Sequence, residues 1–182
     1  MYGLINKALN NMVVSKFGPE AWNNIVTAAG LEEGSFVSME RYDDDVTYAL
    51  VGAASEVLEA PPEACLEMFG HYWVTVTATE AYELLMESTG TTMVEFLQNV
   101  NTLHDRITST FIGYIPPYFE VDQNGTELRV RYESEREGLT PFVVGLLKGL
   151  AERFSEEIEL GDVERLTVDS GEQSILTIHL RG

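Results

Sequence analysis

The sequence predicts an α+β fold, with an N-terminal helical lobe packed on a C-terminal lobe that carries a four-stranded antiparallel sheet and helices. Three observations predict it. Apolar residues recur at helical spacing from Leu4 to Phe111. Four segments of strand-like alternation follow, in two pairs, each pair joined by a glycine-containing turn. One further helical stretch separates the pairs. Helices gathered at one end of a chain, with hairpins at the other, describe α+β architecture rather than alternating α/β units.

Each element has its own signal. Leu4, Ile5, Ala8, Leu9, Met12 and Val13 space an opening helix over residues 1–16. A second helix restarts at "FGPEAW", where Pro19 suits a first-turn position. The stretch "EEGSFVSMERYDDD" reads as a loop, and an Asp of the 43–45 run caps a helix through about Leu58. Pro61 and Pro62 end that helix and begin the next, which carries Leu66, Phe69, Trp73 and Val76 on one stripe. Thr79 is expected to cap a short helix through Met86. Another helix runs from Thr92 to Thr110, its apolar positions being Met93, Phe96, Leu97, Val100, His104, Ile107 and Phe111.

The texture then changes. "IPPYFEVDQNGTELRVRYESERE" reads as a strand, an Asn-Gly hairpin turn and a second strand. Thr140 is the expected N-cap of a helix through Phe154. "VERLTV" and "ILTIHL" are the last two strands, joined by "DSGEQS". The expected organisation is one domain over residues 1–182, with residues 1–60 as the first lobe and 61–182 as the second.

Composition narrows the function. With 45% hydrophobic residues the chain buries a full core, and 30 Asp+Glu against 11 Lys+Arg give a formal charge of -19. Such a surface repels nucleic acid and anionic membranes, so neither is an expected partner. A single cysteine, Cys65, excludes an internal disulfide and a Cys-paired zinc site, and fits a reducing compartment. Without a signal-peptide pattern or a long apolar run, the expected location is cytoplasmic. No Gly-rich phosphate loop, HExxH, CxxC or serine elbow is present.

Two features carry chemistry. Of the three histidines, only His104 lies within a long apolar stripe. It reads either as a core histidine bonded to a carbonyl or as an axial metal ligand. No second His, Cys or carboxylate stands beside it at ligand spacing, which suits haem, whose porphyrin supplies four nitrogens, and not zinc. The second feature is the strand "LRVRYESER". Alternation puts Leu128, Val130, Tyr132, Ser134 and Arg136 on one face and Glu127, Arg129, Arg131, Glu133 and Glu135 on the other. A face that begins apolar and ends in a phenol, a hydroxyl and a guanidinium either bonds internal carboxylates or grips a ligand with an apolar body and an acidic edge. Haem, with two propionates, is such a ligand.

These residues carry a resemblance. "MYGLINKAL", "DDVTYALVGAASEVL", "FGHYWVTVT", "LHDRI", the following Pro pair, and Tyr-x-Ser-x-Arg at 132–136 followed by "GL" make the chain similar to the haem nitric-oxide/oxygen-binding (H-NOX) domains, bacterial relatives of the haem domain of soluble guanylate cyclase. The resemblance runs nearly end to end. It implies a haem b (protoporphyrin IX iron) between the two lobes, with His104 as the iron ligand and Tyr132, Ser134 and Arg136 on the propionates. It also implies a proline against the porphyrin, Pro116, with Pro117 beside it as the alternative. Ile5, Trp73, Phe142 and Leu146 are the expected distal wall, and Leu9 is a further expected haem contact.

Family members that hold O2 stably carry a distal tyrosine in the helix after the Tyr-x-Ser-x-Arg strand. Here that helix reads "TPFVVGLLKGLAERF" and has none. Iron-bound O2 carries negative charge and needs a nearby donor, which NO and CO need far less. Trp73 supplies an indole N–H if it faces the iron and only packing if it does not. The expectation is a non-enzymatic gas sensor for NO and CO that excludes O2. It would signal to a separate protein such as a histidine kinase or a cyclic-di-GMP enzyme. The alternatives are a peroxidase-like haem enzyme, which needs a distal acid–base group, and a haem-free ligand-binding or interaction module.

Overall fold

A computed structural model describes residues 1–32 and 34–181 of the chain. Glu33, in the predicted loop, and Gly182 lie outside the described residues. The helices are α1 (Gly3–Phe17), α2 (Pro19–Ala28), α3 (Asp44–Val57), α4 (Pro62–Tyr72), α5 (Thr79–Glu87) and α6 (Met93–Thr108). Strands β1 (Tyr118–Asn124) and β2 (Glu127–Ser134) follow, then α7 (Thr140–Phe154), β3 (Glu157–Leu166) and β4 (Glu172–Arg181). The strands form one antiparallel sheet in the order β1-β2-β4-β3.

Local chemistry explains most boundaries. Pro19 opens α2 and Pro62 opens α4, where a missing N–H costs nothing. The Thr92 side chain accepts from Glu95 N at 3.2 Å, while the Glu95 carboxylate returns to Thr91 N at 2.9 Å, so the start of α6 is capped from both directions. Gly125, at φ 62°, makes the turn between β1 and β2.

Three expectations are corrected. Thr79 does not begin a separate helix: residues Trp73–Ala78 form a π-helical segment that joins α4 to α5, and the Thr79 hydroxyl bonds back to Val74 O at 3.0 Å. Thr140 is the first residue of α7 rather than its cap. The cap comes from β4, where the Glu172 carboxylate accepts from Leu139 N at 2.7 Å, Thr140 N at 3.1 Å and the Thr140 hydroxyl at 2.7 Å. Strand β3 begins six residues before "VERLTV", because Gly161 and Asp162 form a bulge within the strand and not a turn before it.

The apolar residues form two cores. One joins α1, α2 and α3 with Phe69 and Tyr72 of α4. The other joins α6, α7 and the inner sheet face, including Leu128, Val130, Leu176 and Ile178, all at 0% exposure. Trp73 touches both, and Phe142 of α7 touches the first. α4, beyond residue 60, contributes Phe69 and Tyr72 to the first core. The lobes meet along the α4–α7 crossing, where a side chain at Gly70 would strike Phe142 O and one at Gly145 would strike Glu67 O. They meet again through three long-range bonds: Arg136 Nε to Asp44 Oδ2 at 2.8 Å, Tyr48 OH to Glu137 O at 2.9 Å and Tyr2 OH to Ile112 O at 2.8 Å. No helix among the described residues is long and apolar enough to cross a membrane.

Candidate functional site

His104 sits on α6, half-buried, with Val100 of the same stripe buried and Ile107 half-buried. Its Nδ1 lies 3.1 Å from the Pro117 carbonyl oxygen. A carbonyl only accepts, so Nδ1 carries the proton and the Nε2 lone pair is left free. Burial holds the imidazole pKa below its usual value, against the opposing pull of the Pro117 bond and the Asp105 charge. The ring is therefore neutral at pH 7, the form that binds a metal. No group of three His, Cys, Asp or Glu able to hold a bare metal ion occurs among the described residues. His104 could serve iron only if another molecule supplied the remaining ligands.

The ring is held by its surroundings. One turn earlier, Asn101 clamps the backbone of Phe119 on β1, donating to Phe119 O at 2.6 Å and accepting from Phe119 N at 3.0 Å. Phe119 in turn packs near the His104 ring at 6.1 Å and the Tyr132 ring at 5.4 Å. Sequence reasoning missed Asn101. Its signal was there: a polar residue three positions before the histidine, on the same helix side.

Tyr132 and Ser134 lie on the inner face of β2, as alternation predicts, and Tyr132 is 2% exposed. Burial pushes the Tyr132 phenol up to about 12, with the Ser134 hydroxyl bond pulling the other way, so it stays a donor at any ordinary pH. Ser134 Oγ accepts from Arg136 N at 3.0 Å, which folds the chain back just beyond the strand. Arg136 already has partners: Nε donates to Asp44, and Nη1 donates to Ile115 O at 3.2 Å. Its Nη2 has no partner among the described residues. Asp44 also binds the Met1 amino group. Pro116 lines a shallow hollow with Tyr118, Ser134 and Glu172, while its neighbour Pro117 holds the histidine.

The remaining expected contacts divide. Ile5, Trp73, Phe142 and Leu146 are half-buried, an unusual state for large apolar side chains that face inward. Leu9 is 2% exposed and packed within the first core. The Trp73 ring stands edge-on to Phe69 at 6.2 Å, and its N–H has no acceptor among the described residues. The other histidines are elsewhere. His71 Nε2 pairs with Glu152 at 2.7 Å on the α4–α7 surface, and His179 lies on the outer sheet face beside Gly161.

These residues fit haem. A lone neutral imidazole has a free nitrogen, inward apolar side chains are incompletely covered, and a phenol, a hydroxyl and a guanidinium nitrogen stand together at one edge. The signature of a family described as haem-NO-binding matches residues 2–161. The chain belongs to the haem-NO-binding family.

Soluble guanylate cyclase gcy-32 of Caenorhabditis elegans is 29% identical over 171 residues, covering 88% of this chain and 24% of the cyclase. The chain thus spans about a quarter of the length of the curated relatives it matches. Among solved structures, the unliganded Fe(II) form of an H-NOX variant from K. algicida superposes with a TM-score of 0.85 at 23% identity, covering 100% of this chain and 97% of that one. An H-NOX protein from S. oneidensis in the Fe(II)NO state superposes at 0.83 with 19% identity, covering 100% of both chains. The α+β fold with its four-stranded sheet is the H-NOX fold, and membership makes the chain a haem-based gas-sensing module, not a catalytic domain.

Proposed function

We propose that this haem-NO-binding chain is a sensor of NO, with CO as a second ligand, that excludes O2 and signals to a separate protein. The observation that carries the reading is the His104–Pro117 bond, which leaves one imidazole nitrogen free. His104 would hold the iron of haem b. Tyr132, Ser134 and Arg136 would hold its carboxylates. Pro116 or Pro117 would press on the macrocycle, Ile5, Trp73, Phe142 and Leu146 would form the distal wall, and Leu9 would be a further cofactor contact. When bound, the haem would supply a ferrous iron able to take a diatomic gas.

The chain's own residues supply selectivity and transmission. Phe142 and Leu146 give α7 an apolar inward face, and the helix has no tyrosine. Negative charge on a gas ligand then finds no tyrosine hydroxyl from α7, which disfavours O2 more than NO or CO. His104 is tied through Pro117 to the segment whose Ile115 carbonyl holds Arg136, and Arg136 holds Asp44 of α3. A movement of the imidazole therefore reaches the helical lobe through three hydrogen bonds, which gives a two-state element a physical connection. The responding partner would be a histidine kinase or a cyclic-di-GMP enzyme.

The test is the absorption spectrum of the purified, reduced protein under NO, CO and air. Distinct NO and CO complexes with no stable oxygen complex are expected. A stable oxygen complex overturns the selectivity, and a protein that stays colourless on haem addition overturns the reading. Peroxide turnover above that of free haem would favour the peroxidase alternative.

A further inference from the structure

The segment from Ile112 to Pro117 is turned inside out. Ile112 is 82% exposed and Ile115 is 49% exposed, yet the phenol between them, Tyr114, is turned inward and half-buried. A water-facing loop ordinarily does the reverse, because an isoleucine gains by burial and a phenol hydroxyl loses unless it finds a partner. The backbone enforces the arrangement. Gly113 turns at φ 71°, Tyr114 N bonds to Phe111 O at 3.0 Å, and the next carbonyl, Ile115 O, accepts from Arg136 Nη1.

The Tyr114 hydroxyl has no hydrogen-bond partner among the described residues. Burial raises its pKa, and the nearby Arg136 charge opposes that rise. Tyr114 immediately precedes Ile115, whose carbonyl meets Arg136, and stands three residues before Pro117, whose carbonyl meets His104. The ligand implied by those two contacts has an iron centre at one and carboxylates at the other.

We propose that Tyr114 is a fourth donor to the carboxylate edge of the cofactor, beside Tyr132, Ser134 and Arg136. This rests on the haem-sensor reading and adds a residue that Tyr-x-Ser-x-Arg does not include. Arg136 is partly engaged by Asp44, so one carboxylate gains from a donor that carries no charge and competes for no acid.

The test compares Tyr114→Phe with the wild-type chain, using haemin and haemin dimethyl ester, whose carboxylates are capped. Release is followed optically as each porphyrin passes to an acceptor protein. Tyr114→Phe should speed haemin release about tenfold, the scale of one hydrogen bond to a charged group, and leave release of the diester unchanged. Equal haemin release by the two proteins overturns the proposal, as does equal acceleration for both porphyrins, which would make the hydroxyl merely structural. Failure of the broader reading looks different: the wild-type chain would then take up neither porphyrin, and the phenol would have no cofactor to hold.

Discussion

Arg136 Nε lies 2.8 Å from Asp44 Oδ2, joining the end of the Tyr-x-Ser-x-Arg stretch to the first turn of α3 across 92 residues of sequence. The pair ties the proposed cofactor edge to the helical lobe. Burial works to raise the Asp44 pKa, but the Met1 amino group and Arg136 outweigh it and hold the carboxyl below its ordinary value. A carboxylate with a depressed folded pKa contributes stability above its unfolded value near 4, and that contribution disappears as pH falls through the folded value. Asp44→Asn should therefore cost about 1 kcal/mol or less at pH 7, since the pair is partly exposed. It should also flatten the acid limb of stability below pH ~4. Urea unfolding at stepped pH measures both, and an unchanged acid limb would remove the pair as its cause.

Arg136→Ala removes the guanidinium from Asp44, Ile115 and the proposed carboxylates together. Haem release should rise at least tenfold, because a charge-assisted hydrogen bond of about 1.5–3 kcal/mol is lost. Arg136→Lys should recover only part of it, since an ammonium cannot spread its donors over three partners in the plane that a guanidinium does. Full recovery by lysine would reduce the role of Arg136 to simple charge.

His104 gives a prediction for the apo-protein as well as the loaded one. Its folded pKa is depressed, mainly by burial. The folded state thus binds fewer protons than the unfolded state once pH drops below about 6.5, and stability falls with acidification until the folded value is passed. His104→Leu should flatten stability as pH falls below about 6.5 and abolish haem uptake. His104→Gly should take up haem only when imidazole is added. Unchanged uptake by either variant would defeat the ligand assignment.

The fold was legible because its signals are local. Helical spacing found α1 to α4 and α6, and prolines placed the starts of α2 and α4. Alternation put Tyr132 on the inner face with Leu128 and Val130. What was hidden depends on partners far away in sequence. Glu172 caps α7 from 32 residues downstream, and Asp44 reads as one acid among three until Arg136 arrives beside it. The Gly161 bulge mimics a turn, because one extra residue in a strand looks like a break in alternation. His104 was found by its place in an apolar stripe, but Pro117 as its orienting carbonyl could not be, since a backbone acceptor leaves no mark on residue type.

Tyr132 should reveal itself at high pH. Its phenol is pushed up to about 12, chiefly by burial. A raised folded pKa means that the contribution is complete below the unfolded value near 10 and is lost as pH climbs through the folded one. Ultraviolet titration should show one tyrosine ionising well after the rest, and Tyr132→Phe should delete that late step. If all tyrosines ionise together before unfolding, the phenol is not enclosed as described.

The same substitution at two glycines should have opposite signs. A Cβ at Gly145 would land on Glu67 O of α4, so Gly145→Ala must push the two helices apart. Overpacking of this kind costs roughly 2 kcal/mol, or ~6 °C in melting temperature for a domain of this size. It would also separate the elements that carry Phe142 and Leu146 from those that carry Trp73, so gas-binding rates should change with it. Gly52 lies mid-helix in α3, exposed, with nothing within 4 Å of a built Cβ. There the gain in helix propensity operates alone, and Gly52→Ala should raise stability by about 0.5–1 kcal/mol. Melting curves of both variants decide the matter: a destabilised Gly52→Ala would mean that propensity does not govern that position, and a neutral Gly145→Ala would mean that the α4–α7 crossing yields without cost.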